Sequence, residues 1–308
     1  MVLLMLLAAC APVHTSTAYI SNQGDNTVSV IDINQAKVIS TIKVGKAPVG
    51  VAVSRKLKRA FISNVESSNI SVIDTSSNKV ITTIALQGAP VGVATAPDNK
   101  TLYVADWYSD RIIAINLADY SQRREVIVSK APAGLVVSPD SKTLYVAARD
   151  SNEIAVIDTA TMHIRKRIAV GTHPFGLSIT GNSLYVVNVY ENSVSIINTT
   201  TWAQSKIKVG EHPYCAVASI DNKTLYVTNT QDDTVSIIDL STQKTLATIE
   251  VGMTPEGISY DVANKQVLVA SWGENKISII DATTNKLKTH MKTGDKSRAF
   301  GQFILSEQ

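Results

Sequence analysis

Hydrophobic and polar positions alternate along this chain in short runs. Runs rich in Val, Ile, Thr and Tyr are separated by Gly, Pro, Asn, Asp and Ser. In segment 133–170 this pattern predicts four strands joined by turns, at 133–138, 143–148, 154–158 and 164–170. No stretch keeps the period of an amphipathic helix, so the pattern predicts an all-β protein.

The same four-strand unit recurs along the chain. The stretches "LYVADWYSDRIIAINL" and "LYVTNTQDDTVSIIDL" are two versions of one phrase, and seven copies begin at Ala18, Ala60, Leu102, Leu144, Leu184, Leu225 and Val267. Prolines fall in register with them, at Pro48, Pro90, Pro132, Pro174, Pro213 and Pro255. Four strands every ~40 residues are typical of the blades of a β-propeller.

The two ends of the repeat complement each other. The first copy starts at 18–21 with a second strand that lacks its own first strand, and 298–306 is a first strand without a successor. We therefore predict one domain at 18–306, a seven-bladed β-propeller with four antiparallel strands per blade. The C-terminal strand joins the N-terminal blade and closes the ring, which removes exposed sheet edges. We expect a monomer.

The "YVTN" at 226–229, within "DNKTLYVTNTQDDTVSIIDLSTQKTLATIEVG", resembles the YVTN-family β-propeller proteins. The resemblance covers roughly residues 18–306. That family includes archaeal surface proteins, bacterial periplasmic propellers that bind single-stranded DNA, and propellers linked to quinone or haem d1 metabolism. The resemblance therefore implies the fold but does not choose a function.

The N-terminal stretch "MVLLMLLAAC" resembles a bacterial lipobox, in which cleavage precedes a lipidated cysteine. It predicts a signal segment at 1–9, lipidation of Cys10 and a short tether at 10–17. The stretch is short and lacks a basic start, and the alternative is an ordinary apolar strand with a chance cysteine. Lipidation predicts a periplasmic or outer-membrane lipoprotein of the cell envelope, held to the membrane by its acyl chains.

Overall charge argues against a strongly electrostatic nucleic-acid binder. The chain has 29 Lys and Arg residues against 26 Asp and Glu residues, scattered through the turns. A local basic patch remains compatible with these numbers. The hairpins between first and second strands, and between third and fourth strands, read as plain solvated turns.

The face that carries the repeated prolines differs between blades. The residues beside proline are small in some blades, whereas others place chemically active side chains there: His173, Phe175, His212, Tyr214, Glu256 and, where Ser297 replaces proline, Arg298. The outer loops of this face add Trp107, Tyr108, Arg111, Arg149, Tyr190 and Trp272. Exposed aromatic and Arg side chains are favoured at binding surfaces, so these twelve residues are the candidate ligand-binding set.

Two histidines at equivalent positions raise the question of a metal. His173, His212 and Cys215 could together bind copper or zinc. Their spacing is not a zinc pattern, and Cys215 takes the place of a repeated glycine, so we predict no metal site and a paired-His binding role. No phosphate loop, nucleophile elbow or haem-attachment motif is present, and we predict neither catalytic residues nor a cofactor.

The leading hypothesis is a non-enzymatic propeller that binds an envelope protein or a small ligand at the central funnel. One alternative is a propeller oxidoreductase, or a helper for one, that holds a metal, quinone or modified haem over the channel. Another is single-stranded nucleic-acid binding. In it, bases would stack on Trp107, Tyr108, Tyr190 and Trp272, and Arg111 and Arg149 would contact phosphates.

Overall fold

A computed structural model describes residues 16–306 of the chain. The predicted signal segment, Cys10 and most of the predicted tether lie outside the described residues. The described part forms seven β-sheets and contains only two short 3₁₀ turns, at Arg149–Ser151 and Val189–Glu191, and no α-helix. Within residues 16–306 no helix is long and apolar enough to cross a membrane.

The seven sheets are the blades of a propeller, which confirms the predicted fold class. Blade 1 contains β1 (Ser16–Asn22), β2 (Thr27–Asp32) and β3 (Lys37–Lys43). Blade 2 contains β4 (Pro48–Ser54), β5 (Arg59–Asn64), β6 (Asn69–Asp74) and β7 (Lys79–Ala85). Blade 3 contains β8 (Pro90–Thr95), β9 (Thr101–Asp106), β10 (Arg111–Asn116) and β11 (Arg123–Ile127). Blade 4 contains β12 (Pro132–Val137), β13 (Thr143–Ala148), β14 (Glu153–Asp158) and β15 (Ile164–Ala169). Blade 5 contains β16 (Pro174–Thr180), β17 (Ser183–Asn188), β18 (Ser193–Asn198) and β19 (Gln204–Lys208). Blade 6 contains β20 (Pro213–Ala218), β21 (Thr224–Asn229), β22 (Thr234–Asp239) and β23 (Lys244–Glu250). Blade 7 contains β24 (Pro255–Asp261), β25 (Gln266–Ser271), β26 (Lys276–Asp281) and β27 (Lys286–Lys292). The C-terminal segment adds β28 (Phe300–Gln302) and β29 (Ile304–Ser306).

The strands of blade 4 show how well the hydrophobic pattern predicts the fold. All four begin and end within one residue of their predicted positions. The two central strands, β13 and β14, are almost wholly buried, whereas the outer strand β15 is mostly exposed. The central strands pack on both faces between neighbouring blades, so they bury their side chains on each side of the sheet.

Ring closure is confirmed, and it is more elaborate than the pattern predicts. Strand β29 pairs antiparallel with β1, with Ser306 opposite Ser16, so blade 1 gains its innermost strand. Strand β28 instead pairs in parallel with β4 of blade 2, with Phe300 opposite Gly50. The segment that reads as one strand therefore splits and joins two blades, and Phe303 between the two strands is fully buried.

The residues of the YVTN motif link neighbouring blades and order the loop that follows. The Tyr226 hydroxyl donates to Asn285 Oδ1 of blade 7 over 3.0 Å. The Asn229 amide donates to Thr234 and Ser236 on the adjacent strand, over 3.0 and 2.9 Å. These contacts assign the motif to folding.

Two opposite faces result from this arrangement. We call the face bearing the proline-containing loops between blades the Pro-loop face, and the face bearing the hairpins within blades, such as 54–59 and 219–224, the hairpin face. Between them the inner strands line the axis at very close range. A Cβ on Gly134 would lie 2.1 Å from the Phe175 carbonyl oxygen of the next blade, so this position of blade 4 requires glycine.

Candidate functional site

The residue before each repeated proline sits in an unusual backbone conformation. His173 and His212 have φ angles of 54° and 48°, and their N–H groups donate to Asn152 Oδ1 and Asn192 Oδ1 over 2.9 and 3.0 Å. Ala47 takes the same left-handed conformation, with φ of 50°. The loop therefore sets the backbone, and the side chain at this position is free to differ between blades.

A polar network lies at the mouth of the central channel. Arg298 forms an ion pair with Glu256, and its Nη2 also donates to the Tyr214 hydroxyl over 2.8 Å. Arg298 Nη1 lies 3.3 Å from Gln23 Oε1, and the same oxygen accepts a bond from Trp272 Nε1 at 3.0 Å. Side chains from three blades and the closing segment are thus held together at one point.

The protonation states of this network follow from its burial. Burial raises the pKa of Tyr214, and neighbouring Glu256 raises it further, so the phenol keeps its proton. Burial opposes the charge on Arg298, but Tyr214 and Glu256 overcome this effect and raise its pKa. Burial also raises the pKa of Glu256, and the charge of Arg298 acts against that rise. In the ion pair, each charge therefore offsets the cost of burying the other.

Aromatic rings form the second part of the site. The Phe175 ring lies 4.2 Å from that of Tyr214, 4.9 Å from that of Phe300 and 5.9 Å from that of Trp107, measured between centroids. Above them is a pocket of about 200 Å³, lined by Gln23, Val49, Val65, Ala89, Val91, Trp107, Tyr108, Phe175, Tyr214 and Arg298. The pocket has an aliphatic and aromatic wall and one polar end.

The two phenylalanines separate this pocket from the rest of the axis. Phe300 lines a second cavity of about 260 Å³ among the inner strands on the far side, together with Cys215. Cys215 is a free thiol and is 7% exposed, and burial raises its pKa, so it stays protonated. Cys215 occupies the repeat position that Gly134 occupies in blade 4, two residues after the proline, as the sequence indicates.

The two histidines form a separate cluster with Tyr190. The Tyr190 ring lies 4.2 Å from that of His173 and 5.3 Å from that of His212. His173 Nε2 is 3.5 Å from Asp150 Oδ1. Within residues 16–306 no three His, Cys, Asp or Glu side chains are grouped as metal ligands would be, so His173, His212 and Cys215 do not form such a group.

The predicted arginines differ in their surroundings. The Arg149 guanidinium carbon lies 4.2 Å above the Trp107 ring, at the rim of the pocket. Arg111 is held by Asp106 at 3.0 Å and Glu125 at 2.9 Å, and it also donates to a backbone carbonyl. The Arg111 guanidinium therefore bonds within its own blade and to the loop that precedes it.

Of the twelve predicted residues, five line the pocket: Trp107, Tyr108, Phe175, Tyr214 and Arg298. Glu256 and Trp272 support its polar end. Arg149 stacks at the rim, and His173, Tyr190 and His212 form their own cluster. Ligand binding by any of them stays a prediction.

Sequence reasoning missed two residues of the site. Gln23, in the loop after β1, bridges Arg298 and Trp272. Phe300, in the closing segment, forms the floor beneath Phe175. The alternation of the repeat does not mark Gln23, because its neighbours Asn22 and Gly24 read as an ordinary turn.

Known proteins share this architecture. Residues 172–281 match the model of the family described as YNCE-like beta-propeller. No curated protein matches the chain. Among solved structures, a hydrazine synthase chain from Kuenenia stuttgartiensis superposes with a TM-score of 0.79 at 20% identity, covering 86% of this chain and 92% of that one.

Two further structures extend the comparison. A putative 6-phosphogluconolactonase from Bacteroides uniformis has a TM-score of 0.78 at 14% identity, covering 96% of this chain and 100% of that one. The dihydro-heme d1 dehydrogenase NirN has a TM-score of 0.70 at 12% identity, covering 94% of this chain and 75% of that one. Identities this low show a common fold and carry no activity across. With its seven closed blades and its match to the YNCE-like model, the chain is a YVTN-like seven-bladed β-propeller.

Proposed function

We propose that this protein is a non-enzymatic binding propeller that holds a protein partner through its Pro-loop face. The observation that carries the proposal is the pocket at the channel mouth, where Trp107, Tyr108 and Phe175 form an aromatic wall beside the polar group of Tyr214 and Arg298. Concave, mostly apolar sites with a few convergent polar groups are the usual form of binding sites.

The size of the pocket favours a side chain over a whole small molecule. Its volume is about 200 Å³, whereas pockets that enclose drug-sized ligands measure roughly 300–1,000 Å³. A pocket of this size accepts one aliphatic or aromatic group. A protein or peptide can insert such a group while the rest of its surface lies on the surrounding loops.

The polar end of the pocket determines which group of the partner can bind next to the inserted side chain. Tyr214 accepts a bond from Arg298, and its own proton has no acceptor within residues 16–306. The Gln23 amide nitrogen likewise makes no bond within that range. Because Arg298 is neutralised by Glu256, these donors suit a neutral acceptor such as a backbone carbonyl.

The rim has the composition of a protein interface. Tyr108 is 82% exposed and Tyr190 is 59% exposed, although both are large aromatic side chains. Arg149 stacks on Trp107 between them. Tyr, Trp and Arg dominate the residues that contribute most to protein–protein binding.

Selection from a random peptide library tests the proposal. The purified protein should enrich peptides that share one aromatic or aliphatic anchor. Trp107→Ala should weaken their binding at least about tenfold, the range of an interface hot spot. The matched control is Ile220→Ala, because Ile220 is 66% exposed on the hairpin face. Failure to enrich any peptide, or equal effects of the two variants, would count against the proposal.

We further propose that the protein is a lipoprotein of the cell envelope, anchored through Cys10. The support is the apolar stretch that ends in Leu-Ala-Ala-Cys. Cys10→Ser should move the protein from the membrane fraction to the soluble envelope fraction of the native host. Unchanged membrane association, or an intact N-terminus by mass spectrometry, would refute lipidation.

A further inference from the structure

Positive charge is concentrated on the hairpin face of blades 2 and 3. We call the four hairpins 54–59, 74–79, 96–101 and 116–124 the basic patch. They contain eight of the 29 Lys and Arg residues but three of the 26 Asp and Glu residues. The basic patch therefore carries a formal charge of +5, whereas the remaining chain carries −2.

These charges are not neutralised by neighbouring carboxylates. Arg59 pairs with Asp74, but the seven other basic residues of the patch make no ion pair within residues 16–306: Arg55, Lys56, Lys58, Lys79, Lys100, Arg123 and Arg124. All seven are exposed. Arg124 donates to the carbonyl oxygens of Thr159 and Ala160, which fixes its position without removing its charge.

A cleft runs between the hairpins of the basic patch. Its volume is about 750 Å³, and its walls combine the aliphatic side chains of Leu57 and Leu117 with the cationic groups of Lys100 and Arg124. Amide groups complete the lining at Asn99 and elsewhere. An anionic headgroup with an attached apolar segment matches this mixture of charge and aliphatic surface.

The described chain begins on this same face. Ser16 N donates to Asn34 Oδ1 over 3.3 Å, and Ser16 Oγ donates to Asp261 Oδ1 over 2.9 Å. Asn34 and Asp261 both belong to hairpin-face turns. Blade 1 also contacts the patch directly, since the Tyr19 hydroxyl donates to Asn78 Oδ1 over 2.9 Å.

We infer that the basic patch docks on an anionic phospholipid surface, with headgroup phosphates in the cleft. Charge complementarity carries the inference, because basic clusters beside a membrane bind anionic lipids. The orientation that follows rests on the proposed anchor at Cys10. Five residues lie between Cys10 and Ser16, and even fully extended the stretch from Cys10 to Ser16 spans only about 20 Å. The hairpin face then lies against the bilayer, and the Pro-loop face points away from it.

Vesicle co-sedimentation tests the inference independently of the anchor. The protein is the full chain with Cys10→Ser, and the probe is phosphatidylcholine vesicles with about 30 mol % phosphatidylglycerol, compared with phosphatidylcholine alone. The protein should bind the anionic vesicles and release them as salt rises. The triple variant Arg55→Gln/Lys56→Gln/Lys58→Gln should lose about 100-fold in affinity, and the matching Glu variant, which changes the charge by twice as much, should lose more.

The control triple variant is Lys43→Glu/Lys208→Glu/Lys292→Glu, which makes the same change in net charge as the Glu variant of the patch, at exposed positions on outer strands. It should keep most of the affinity. Equal binding to both kinds of vesicle, or equal losses in the two Glu triple variants, would overturn the inference. So would patch-dependent binding of a single-stranded oligonucleotide by protein that does not bind vesicles. Peptide binding at the Pro-loop face is measured separately, so either proposal can fail alone.

Discussion

Arg298 and Glu256 form an ion pair at the channel mouth, with side chains that are only 20% and 9% exposed. Glu256 belongs to the first strand of blade 7, whereas Arg298 belongs to the segment that closes the ring. Two residues past Arg298, at Phe300, that segment already pairs with β4 of blade 2. Ring closure and the pocket are therefore built from the same stretch of chain.

Removal of Glu256 should destabilise the fold strongly. Glu256→Ala leaves the Arg298 guanidinium buried without its counter-charge, and breaking such a pair costs about 3–5 kcal/mol. Glu191→Ala is the matched control, because its partner Lys206 is 45% exposed, and an exposed pair contributes about 0–1 kcal/mol. Urea unfolding at neutral pH measures both. Equal, small losses would show that the buried pair does not stabilise the ring.

Removal of the closing segment should open the ring. A chain that ends at Asp295 lacks β28, β29 and the buried Phe303, and it exposes the edges of β1 and β4. We expect a large fall in melting temperature and a tendency to aggregate, since both edges become available for pairing. A truncated chain that melts like the full chain would contradict this view of closure.

The turns that end the third strands should make the fold sensitive to acid. Hydrogen bonds from Ser241 and Thr242 lower the pKa of Asp239, and bonds from Thr284 and Thr283 lower that of Asp281. A carboxylate with a lowered folded pKa adds stability above its unfolded pKa of about 3.9 and loses it as pH falls through the folded value. Stability should therefore decrease below about pH 4.

Blade 5 supplies the control for this acid effect. Asn198 occupies the same turn position and accepts bonds from Thr200 and Thr201 over 2.9 Å without a titrating group. Asp239→Asn/Asp281→Asn should keep the turns at pH 7 and flatten the dependence of unfolding free energy on pH between about 2 and 4. An unchanged slope would place the acid sensitivity in other carboxylates.

The two histidines should matter for binding and little for folding. Ala47 and Ala131 adopt the same left-handed backbone as His173 and His212. The double change of both histidines to Ala should therefore alter stability by no more than about 0.5 kcal/mol. It removes both rings beside Tyr190, so we expect weaker binding of a selected peptide. A much lower melting temperature would show that the histidines are structural, and unchanged binding would place the functional surface on the outer Trp and Tyr loops.

The periodic pattern predicts most of this fold because a blade is a local unit. Each strand begins and ends at turn residues, so the strands of blade 4 are placed within one residue. The split of segment 298–306 into two strands is not predictable in this way. Its partner β4 lies some 250 residues away, and only the closed ring brings them together.

The repeat also makes part of the site predictable from the sequence. Variation beside the prolines reveals Phe175, Tyr214 and Arg298, because each occupies a repeat position that packing leaves free. Arg111 reads as an exposed arginine, but Asp106 stands where blades 1, 2, 5 and 6 place the asparagine of the motif, and the Asp106 carboxylate pairs with Arg111. The hairpins of the basic patch read as separate solvated turns until the ring places 54–59 beside 116–124.

The most direct test of the central claim is a double-mutant cycle between Trp107 and the anchor side chain of a selected peptide. Calorimetry gives the affinities of wild-type protein and Trp107→Ala for the peptide and for its anchor→Ala form. If the anchor occupies the pocket, the coupling energy should be about 0.5–1.5 kcal/mol, as for aromatic contacts. A coupling energy of zero, with both single changes weakening binding, would show that the anchor binds elsewhere and would contradict the account.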